Sequence, residues 1–262
     1  MSNKIAIVIP LYNEEHRFNF GYFQSIGKKY SQDVDFVLVD DGSSDRTSEI
    51  AHKISAQFSN FRILELGENL GKAEAIRIGF RYILQSQTKY RGLGFMDSDG
   101  AFDLADLTNS INLFDLKCMN DSYEAIFMSR LAISGRNIER NTLRHFFGRV
   151  VSRIIKCGLP NSPWDTQAGL KIFKSTEEFS RTIQVPFRTR WLFEVEILQR
   201  VFVSRREVLR IWEEPLHNWV DVKGSKIGIA QFVNIASSVL TIAAINVIQI
   251  APIRIRRSRS VQ

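Results

Sequence analysis

Gly92-Leu93-Gly94-Phe95-Met96-Asp97-Ser98-Asp99-Gly100 is the stretch from which this chain is read. Five uncharged residues run directly into two carboxylates and a glycine. A short apolar run closed by turn residues suits a strand buried on both faces, and such strands belong to parallel sheets covered by helices. Ligands of those sheets gather beyond the carboxyl ends of the strands, which is where Asp97 and Asp99 would sit. Two carboxylates spaced Asp-x-Asp on a strand-to-loop bend can turn toward one hard cation, Mg2+ or Mn2+, shared with diphosphate oxygens. Alone, the triplet also fits a solvated turn; its position after the apolar run favours the cation.

Outward from this stretch, Ile5 to Ile9, Phe36 to Val39, Phe61 to Leu66 and Ala125 to Met128 are further short apolar runs, alternating with segments of helical period. That alternation predicts an α/β fold, a Rossmann-like and mostly parallel sheet flanked by helices. The first run ends in Pro10-Leu11-Tyr12-Asn13-Glu14 and the second in Asp40-Asp41-Gly42-Ser43, so these should meet Asp97 on one rim. Between the second and third runs, Ile50, Ala51, Ile54 and Phe58 recur at helical spacing behind the N-cap candidates Ser43, Ser44 and Asp45. Glu68-Asn69-Leu70-Gly71-Lys72 opens the next helix, whose face carries Ala73, Ile76, Phe80, Ile83 and Leu84. A helix N-terminus with a lysine is an anion site, although the full phosphate-loop pattern is missing.

The 262 residues, 44% hydrophobic and 24% charged, can bury a substantial core. A net charge of +7 suits a phosphate-bearing partner: a nucleotide, a nucleic acid or an anionic membrane. Nucleic acid is set aside, because the basic residues lack interleaved aromatics and no reader motif occurs. Cys118 and Cys157 lie far apart and imply neither a disulfide nor a zinc site; both are expected as core thiols. The apolar run before Asn13 is too short for a signal peptide, so a cytosolic start is expected. From residue 140 to 157, Leu143, Phe146, Phe147, Val150, Val151, Ile154 and Ile155 form a stripe flanked by Arg140, Arg144, Arg149, Arg153 and Lys156, with Gly158 and Pro160 ending the helix. No charge occurs from Ile227 to Ile253, and Arg254, Arg256, Arg257 and Arg259 follow. The stretch exceeds the roughly 20 residues needed to span a bilayer, but seven of its 27 residues are amides or hydroxyls. As a helix it gathers Gln231, Asn234, Ser237, Ser238, Thr241 and Gln249 opposite Ile229, Phe232, Val233, Val239, Leu240, Val247 and Ile250. An amphipathic, membrane-associated helix at the interface, with the arginines on anionic headgroups, is the expectation; ordinary packing against the protein and a true span are the alternatives.

Val8 to Glu14, Val39 to Asp45, Asn69 to Lys72, Asp97 to Gly100, Ser129-Arg130, Asp165 to Lys171 and Gly224-Ser225-Lys226, in this order, resemble the family 2 glycosyltransferases of the GT-A fold. The resemblance covers nearly the whole chain and is strongest to the dolichyl- and polyprenyl-phosphate sugar transferases. Within them it favours the dolichyl-phosphate glucosyltransferase branch, through Asn218-Trp219-Val220 ahead of Gly-Ser-Lys. It implies that Pro10, Tyr12, Glu14 and Asp41 line a nucleoside pocket, with Asp41 accepting from base or ribose. It implies further that Asp97 and Asp99 bind Mg2+ or Mn2+, and that Arg130 and Lys226 meet the donor phosphates, beside Lys72. Ala101 and Val220 stand where the mannosyltransferases place glutamine and arginine, which disfavours mannose from a guanine nucleotide. The family's Phe-Asp-x-Glu is Phe193-Glu194-Val195-Glu196 here; on a helix only one of the two glutamates can face the site, and Glu196 keeps the family identity, while a structural carboxylate satisfying Arg190 or a backbone amide is the alternative for either.

In this branch the acceptor is a polyprenyl phosphate. Its second pKa, about 6 as for phosphorylated side chains, leaves a dianionic nucleophile that needs no general base. Arg140 and Arg144, with Arg149, are expected to offset the repulsion between two anionic substrates. Asp165, beside Trp164, is expected to orient the acceptor, and the transfer to be a single inverting displacement. The expected division is 1–226 for the transferase domain and 227–262 for the helix and basic tail, peripheral on the cytosolic membrane face. The alternatives are a soluble family 2 transferase with a glycan acceptor and a non-catalytic nucleotide-binding partner; the intact Asp97, Asp99 and Lys226 speak against the latter.

Overall fold

The fold grows from β1 (Ile5–Leu11), which carries no charge and sits near the middle of a seven-stranded sheet. In the computed structural model, which describes residues 4–139, 152–159, 162–220 and 229–250, β1 pairs in parallel with β2 (Val34–Asp40) and β4 (Gly92–Met96). Beyond β2 lies β3 (Phe61–Glu65), also parallel. On the other side the order continues through β7 (Leu170–Lys174), β5 (Ala125–Ser129) and β8 (Ile211–Pro215). β7 runs antiparallel to both its neighbours, so the sheet is mostly parallel. β6 (Asn137–Glu139) and β9 (Asn218–Val220) form a separate parallel pair. The five expected strands are all present; β7 and β8 are additions. β7 hides a lysine in its middle, and β8 carries two glutamates, so neither reads as a plain apolar run.

Strand periodicity sorts the side chains into two cores. Ile5, Ile7, Ile9 and Leu11 face one core, beneath α1 (Phe20–Lys29), α2 (Thr47–Gln57) and α4 (Leu104–Cys118). Ala6 and Val8 face the other, beneath α3 (Lys72–Gln85) and α7 (Phe193–Arg205), with the short α6 (Glu177–Thr182) at its margin. Ala73, Ile76, Phe80 and Ile83 of α3 are buried as the spacing predicts. Each such side chain contributes about 1.5–3 kcal/mol by leaving water. α3 lies so close to the sheet that a Cβ at Gly79 would stand 2.6 Å from Val8 Cγ1.

Of the segment expected as the basic helix, residues 152–158 are described and form α5; Arg140, Arg144 and Arg149 lie outside the described residues, as does Lys226. Gly158 is inside the helix rather than beyond it, because Asn246 packs where its side chain would be: a Cβ there would sit 2.1 Å from Asn246 Cγ. Cys118 is buried as expected, but Cys157 is exposed.

α8 (Ile229–Ile245) and a π-helical turn (Asn246–Ile250) end the described chain. Here the sequence-based sorting of faces holds for Ser237, Gln249 and Ile250 and fails for Ser238, Leu240 and Val247. Ser238 and Asn246 turn inward, whereas Leu240, Val247 and Ile248 are 70%, 70% and 71% exposed. Hydrogen bonds fix which side of the tail turns inward. Gln199 Nε2 on α7 donates to Ile242 O (3.1 Å) and Asn246 Oδ1 (2.8 Å), and Asn246 Nδ2 donates to Ile154 O (3.3 Å). Ile242 and Ile250 join the cores beside this polar lock. Among the described residues no helix is long and apolar enough to cross a membrane.

Gly79→Val should cost about 1–3 kcal/mol through overpacking against Val8 and Val39. The check is the urea midpoint at unchanged slope.

Candidate active site

Three loops beyond β1, β2 and β3 are stitched into one wall. Asn13, at φ 52°, turns the chain so that its N–H donates to Ser43 Oγ (3.0 Å) while its Oδ1 accepts from Ser44 N (2.9 Å). Glu14 N–H donates to Thr47 Oγ1 at 2.7 Å, and Asp45 Oδ1 accepts from Thr47 N–H at the start of α2. Gly42, at φ +70°, lies against Glu68: a Cβ would be 2.7 Å from that carbonyl carbon. Asp41, 3% exposed, then accepts from the amides of Leu70 and Gly71, both at 2.8 Å. Burial raises its pKa against those two donors. Each oxygen keeps a lone pair, so Asp41 shapes the wall and can still accept from a ligand. Pro10 is half-buried in β1, and Tyr12, 46% exposed, stands beside this wall.

The wall delivers Lys72, the first residue of α3, to the Asp-x-Asp turn: its Nζ lies 2.6 Å from Asp97 Oδ1. Burial pulls the Lys72 pKa down, but Asp97, Glu194 and Asp99 outweigh it and the net direction is up. Asp97 N–H donates to Gly169 O at 2.9 Å, and a Cβ on Gly169 would lie 2.1 Å from the Asp97 carboxyl carbon. Asp99 bends back to accept from Ala101 N (3.1 Å), with Gly100 at φ +72°. Burial and then Asp97 raise the Asp99 pKa. Glu14 belongs to this cluster as well as to the loop wall. It is 7% exposed, ion-paired through Oε1 to Arg17 (2.5 Å), and its pKa is raised by burial, then lowered by Arg17 and raised by Asp99 and Asp97. Its Oε2 is buried and accepts no hydrogen bond.

Crowded carboxylates and an orphaned buried oxygen are a hard-donor environment short of positive charge, which suits Mg2+ or Mn2+. Among the described residues no three His, Cys, Asp or Glu side chains converge as a metal cage. A cation held by Asp97 and Asp99 would therefore complete its shell with water and donor oxygens, as Mg2+ commonly does.

The other half of the site lies under β5 and β8. Asp165 and Arg130 pair as a fork: Nε to Oδ2 and Nη2 to Oδ1, both at 2.8 Å, with Arg130 N–H adding 2.9 Å to Oδ2. Thus the residue expected at the donor phosphates and the one expected at the acceptor hold each other. Glu213 of β8 accepts from Trp164 N (2.9 Å) and Asp165 N (2.8 Å); burial raises its pKa despite these amides. Trp164 is left 59% exposed, with Lys156 Nζ 3.9 Å from its ring centre.

Between the halves lies Lys171, fully buried between the rings of Phe95 and Phe127 at 5.1 Å each, donating to Ala168 O. Its Nζ is 3.6 Å from Glu194 Oε1. Burial lowers the Lys171 pKa and raises that of Glu194. Of the two glutamates on α7, Glu194 is the one that meets Lys171, and the charges of Lys72 and Asp97 also reach it. Glu196 points elsewhere: it accepts from the amides of Arg188 (2.9 Å) and Thr189 (3.2 Å) and from Arg200 Nη2 (2.8 Å). The preference for Glu196, resting on its identity, thus meets a side chain engaged in holding a loop. Lys171 and Glu213 received no role from the sequence; a lysine inside an apolar strand run was the available signal for the first.

Residues 6–202 match the family model described as glycosyl transferase family 2. The chain belongs to glycosyl transferase family 2. This transferase is 31% identical over 250 residues to the dolichyl-phosphate beta-glucosyltransferase of Saccharomyces cerevisiae, covering 86% of this chain and 70% of that one. To the Homo sapiens dolichyl-phosphate beta-glucosyltransferase it is 29% identical over 241 residues, with the same coverage of 86% and 70%. In fold it resembles the glucosyl-3-phosphoglycerate synthase of Mycobacterium tuberculosis with phosphoglyceric acid, at TM-score 0.66 and 17% identity, covering 92% of this chain and 80% of that one. It also resembles a mannosyltransferase of Pyrobaculum calidifontis in complex with GDP-Man and Mn2+, at TM-score 0.57 and 16% identity, covering 91% and 62%.

Gly169→Ala must push the Asp97 carboxylate aside, and a misplacement of about 1 Å can cost on the order of 100-fold in transfer. The expected result is that loss with an unchanged far-ultraviolet circular dichroism spectrum. Glu196→Ala should instead lower unfolding stability by about 3 kcal/mol by orphaning buried partners; an unchanged urea midpoint with abolished transfer would return Glu196 to the reaction centre.

Proposed function

We propose that this transferase moves a sugar, with glucose the favoured identity, from a nucleoside-diphosphate sugar to a dolichyl or polyprenyl phosphate by a single inverting displacement. The observation that carries the reading is the convergence of Asp97 and Asp99 with Lys72 and Glu14 on the carboxyl rim of the sheet, in a chain so similar to dolichyl-phosphate beta-glucosyltransferases. The loop wall of Tyr12, Glu14 and Asp41 receives the nucleoside. Asp97 and Asp99 hold Mg2+ or Mn2+, which supplies Lewis-acid neutralisation of the departing diphosphate. Lys72 adds a positive charge to the same leaving group, joined by Lys226 from its loop. The fork with Asp165 fixes the plane of Arg130 so that the remaining face of the guanidinium points predictably. The acceptor arrives already ionised, so its oxygen needs orientation rather than deprotonation. Trp164 and Asp165 provide that orientation, and Arg140 and Arg144 reduce the repulsion between acceptor and donor.

The membrane reading rests on the outer face of the tail. Leu240, Val247 and Ile248 share one exposed stripe, and the arginine cluster follows it in the sequence. Three such side chains leaving water contribute about 1.5–3 kcal/mol each, enough for peripheral attachment of the cytosolic kind when joined to headgroup attraction. The transferase domain and tail, divided at 226/227, then act as one body on the surface.

Purified protein with Mn2+ or Mg2+, a panel of radiolabelled nucleotide-sugars and dolichyl or undecaprenyl phosphate should place label in the organic phase, and Asp97→Ala should reduce it to background. Label on a glycan acceptor with none in the lipid would replace this reading with a soluble transferase. The triple variant Leu240→Glu, Val247→Glu, Ile248→Glu should no longer sediment with vesicles containing phosphatidylserine, while the parent chain does; equal sedimentation removes the tail from the membrane contact.

A further inference from the structure

Beneath Asp97 lies a carboxylate that none of the loop contacts explains. Glu194 is 2% exposed; its Oε1 faces Lys171 at 3.6 Å, and its Oε2 is buried with no hydrogen-bond partner. An unpaired buried carboxylate oxygen costs free energy unless a cation comes to it. Lys171 stays 3.6 Å from the other oxygen, Oε1, held between two rings and bonded to Ala168 O, and makes no hydrogen bond to Oε2. Lys72 is a second cation nearby: its side chain is 40% exposed, its Nζ lies 2.6 Å from Asp97 Oδ1, and it lies within the field of Glu194. A lysine ammonium is a point charge with three donors on a flexible stem, suited to changing partners.

We propose that Lys72 is a resident competitor for the divalent cation at Asp97, and that Glu194 receives its ammonium when Asp97 turns to the metal. The inference rests on the metal assignment to Asp97 above. Without the donor, Lys72 already neutralises Asp97, so a divalent cation must displace it and binds weakly. With the donor present, the diphosphate brings negative charge for both cations, and Lys72 leaves Asp97 at little cost. Metal and nucleotide therefore strengthen each other's binding, as linkage requires of any such coupling. Fixed Glu194 supplies the second resting place that keeps the displaced ammonium next to the leaving group.

Mn2+ binding to the full chain, followed by the electron paramagnetic resonance of free Mn2+ with and without UDP, tests this independently of turnover. Lys72→Met should bind Mn2+ alone more tightly than the parent, on the order of tenfold for a unit charge removed at this range, and the gain from added UDP should shrink. Glu194→Gln should weaken Mn2+ binding in the chain that keeps Lys72 and leave it unchanged in the Lys72→Met background; Glu194→Asp, which keeps the charge, should behave as the parent. Unchanged or weaker Mn2+ binding in Lys72→Met overturns the proposal. So does an equal effect of Glu194→Gln in both backgrounds, which would make Glu194 a distant charge rather than a partner. Mn2+ bound by the parent with UDP but indifferent to Lys72→Met removes only this inference, whereas no Mn2+ bound by any variant, with or without UDP, removes the metal assignment as well.

Discussion

The close passage of Asp97 over Gly169 is the constraint on which the rest of the site depends. β4 ends at Met96, and its continuation is pinned to the incoming end of antiparallel β7 by the Asp97 N–H to Gly169 O bond. No side chain larger than hydrogen fits between them. This contact joins the half built from the parallel strands β3, β2, β1 and β4 to a second half that begins with a strand running the other way. Everything from Asp165 to Lys171 is placed by that junction: the fork with Arg130, the Glu213 clamp and the buried lysine.

Charge is distributed around the junction in layers. The rim carries Glu14, Asp97 and Asp99, offset in part by Arg17 and Lys72. Below them Lys171 and Glu194 form a dry pair whose pKa values move toward neutrality from opposite directions. Pairs of this kind contribute little net stability, because desolvation consumes most of the attraction. Their value is a fixed field under groups that must handle cations and phosphates.

The five strands and two of the covering helices were legible in the sequence because each buries a periodic apolar set: Ile5, Ile7 and Ile9 against one core, Ala6 and Val8 against the other. The rim residues were legible because they directly follow those strands. β7 and β8 were hidden by the residues that make them useful, Lys171 in one and Glu213 with Glu214 in the other. The pairing of Arg130 with Asp165, 35 residues apart, arises from strand order and leaves no local trace. The choice between Glu194 and Glu196 depended on helix phase, since two positions along α7 point about 200° apart: Glu196 meets the backbone amides of Arg188 and Thr189, the structural alternative for it, and Glu194 meets Lys171. The tail misled in part for a different cause: Ser238, sorted to the polar face, is buried, and Leu240 and Val247, sorted to the apolar face, are exposed, because the tail packs through Asn246, which no face had been given, onto Gln199 and Ile154.

That inward-facing asparagine has a mechanical consequence. Gly158 accommodates it, Gln199 grips it, and a helix keyed in this way cannot roll about its own axis or slide along its neighbour without breaking both contacts. Under the proposed membrane contact, the fixed angle and depth of the tail would set the altitude of Trp164 and Asp165 above the bilayer. Asn246 would then act as a gauge pin, holding the proposed reaction centre at one height over every lipid phosphate, whatever the length of the chain buried below.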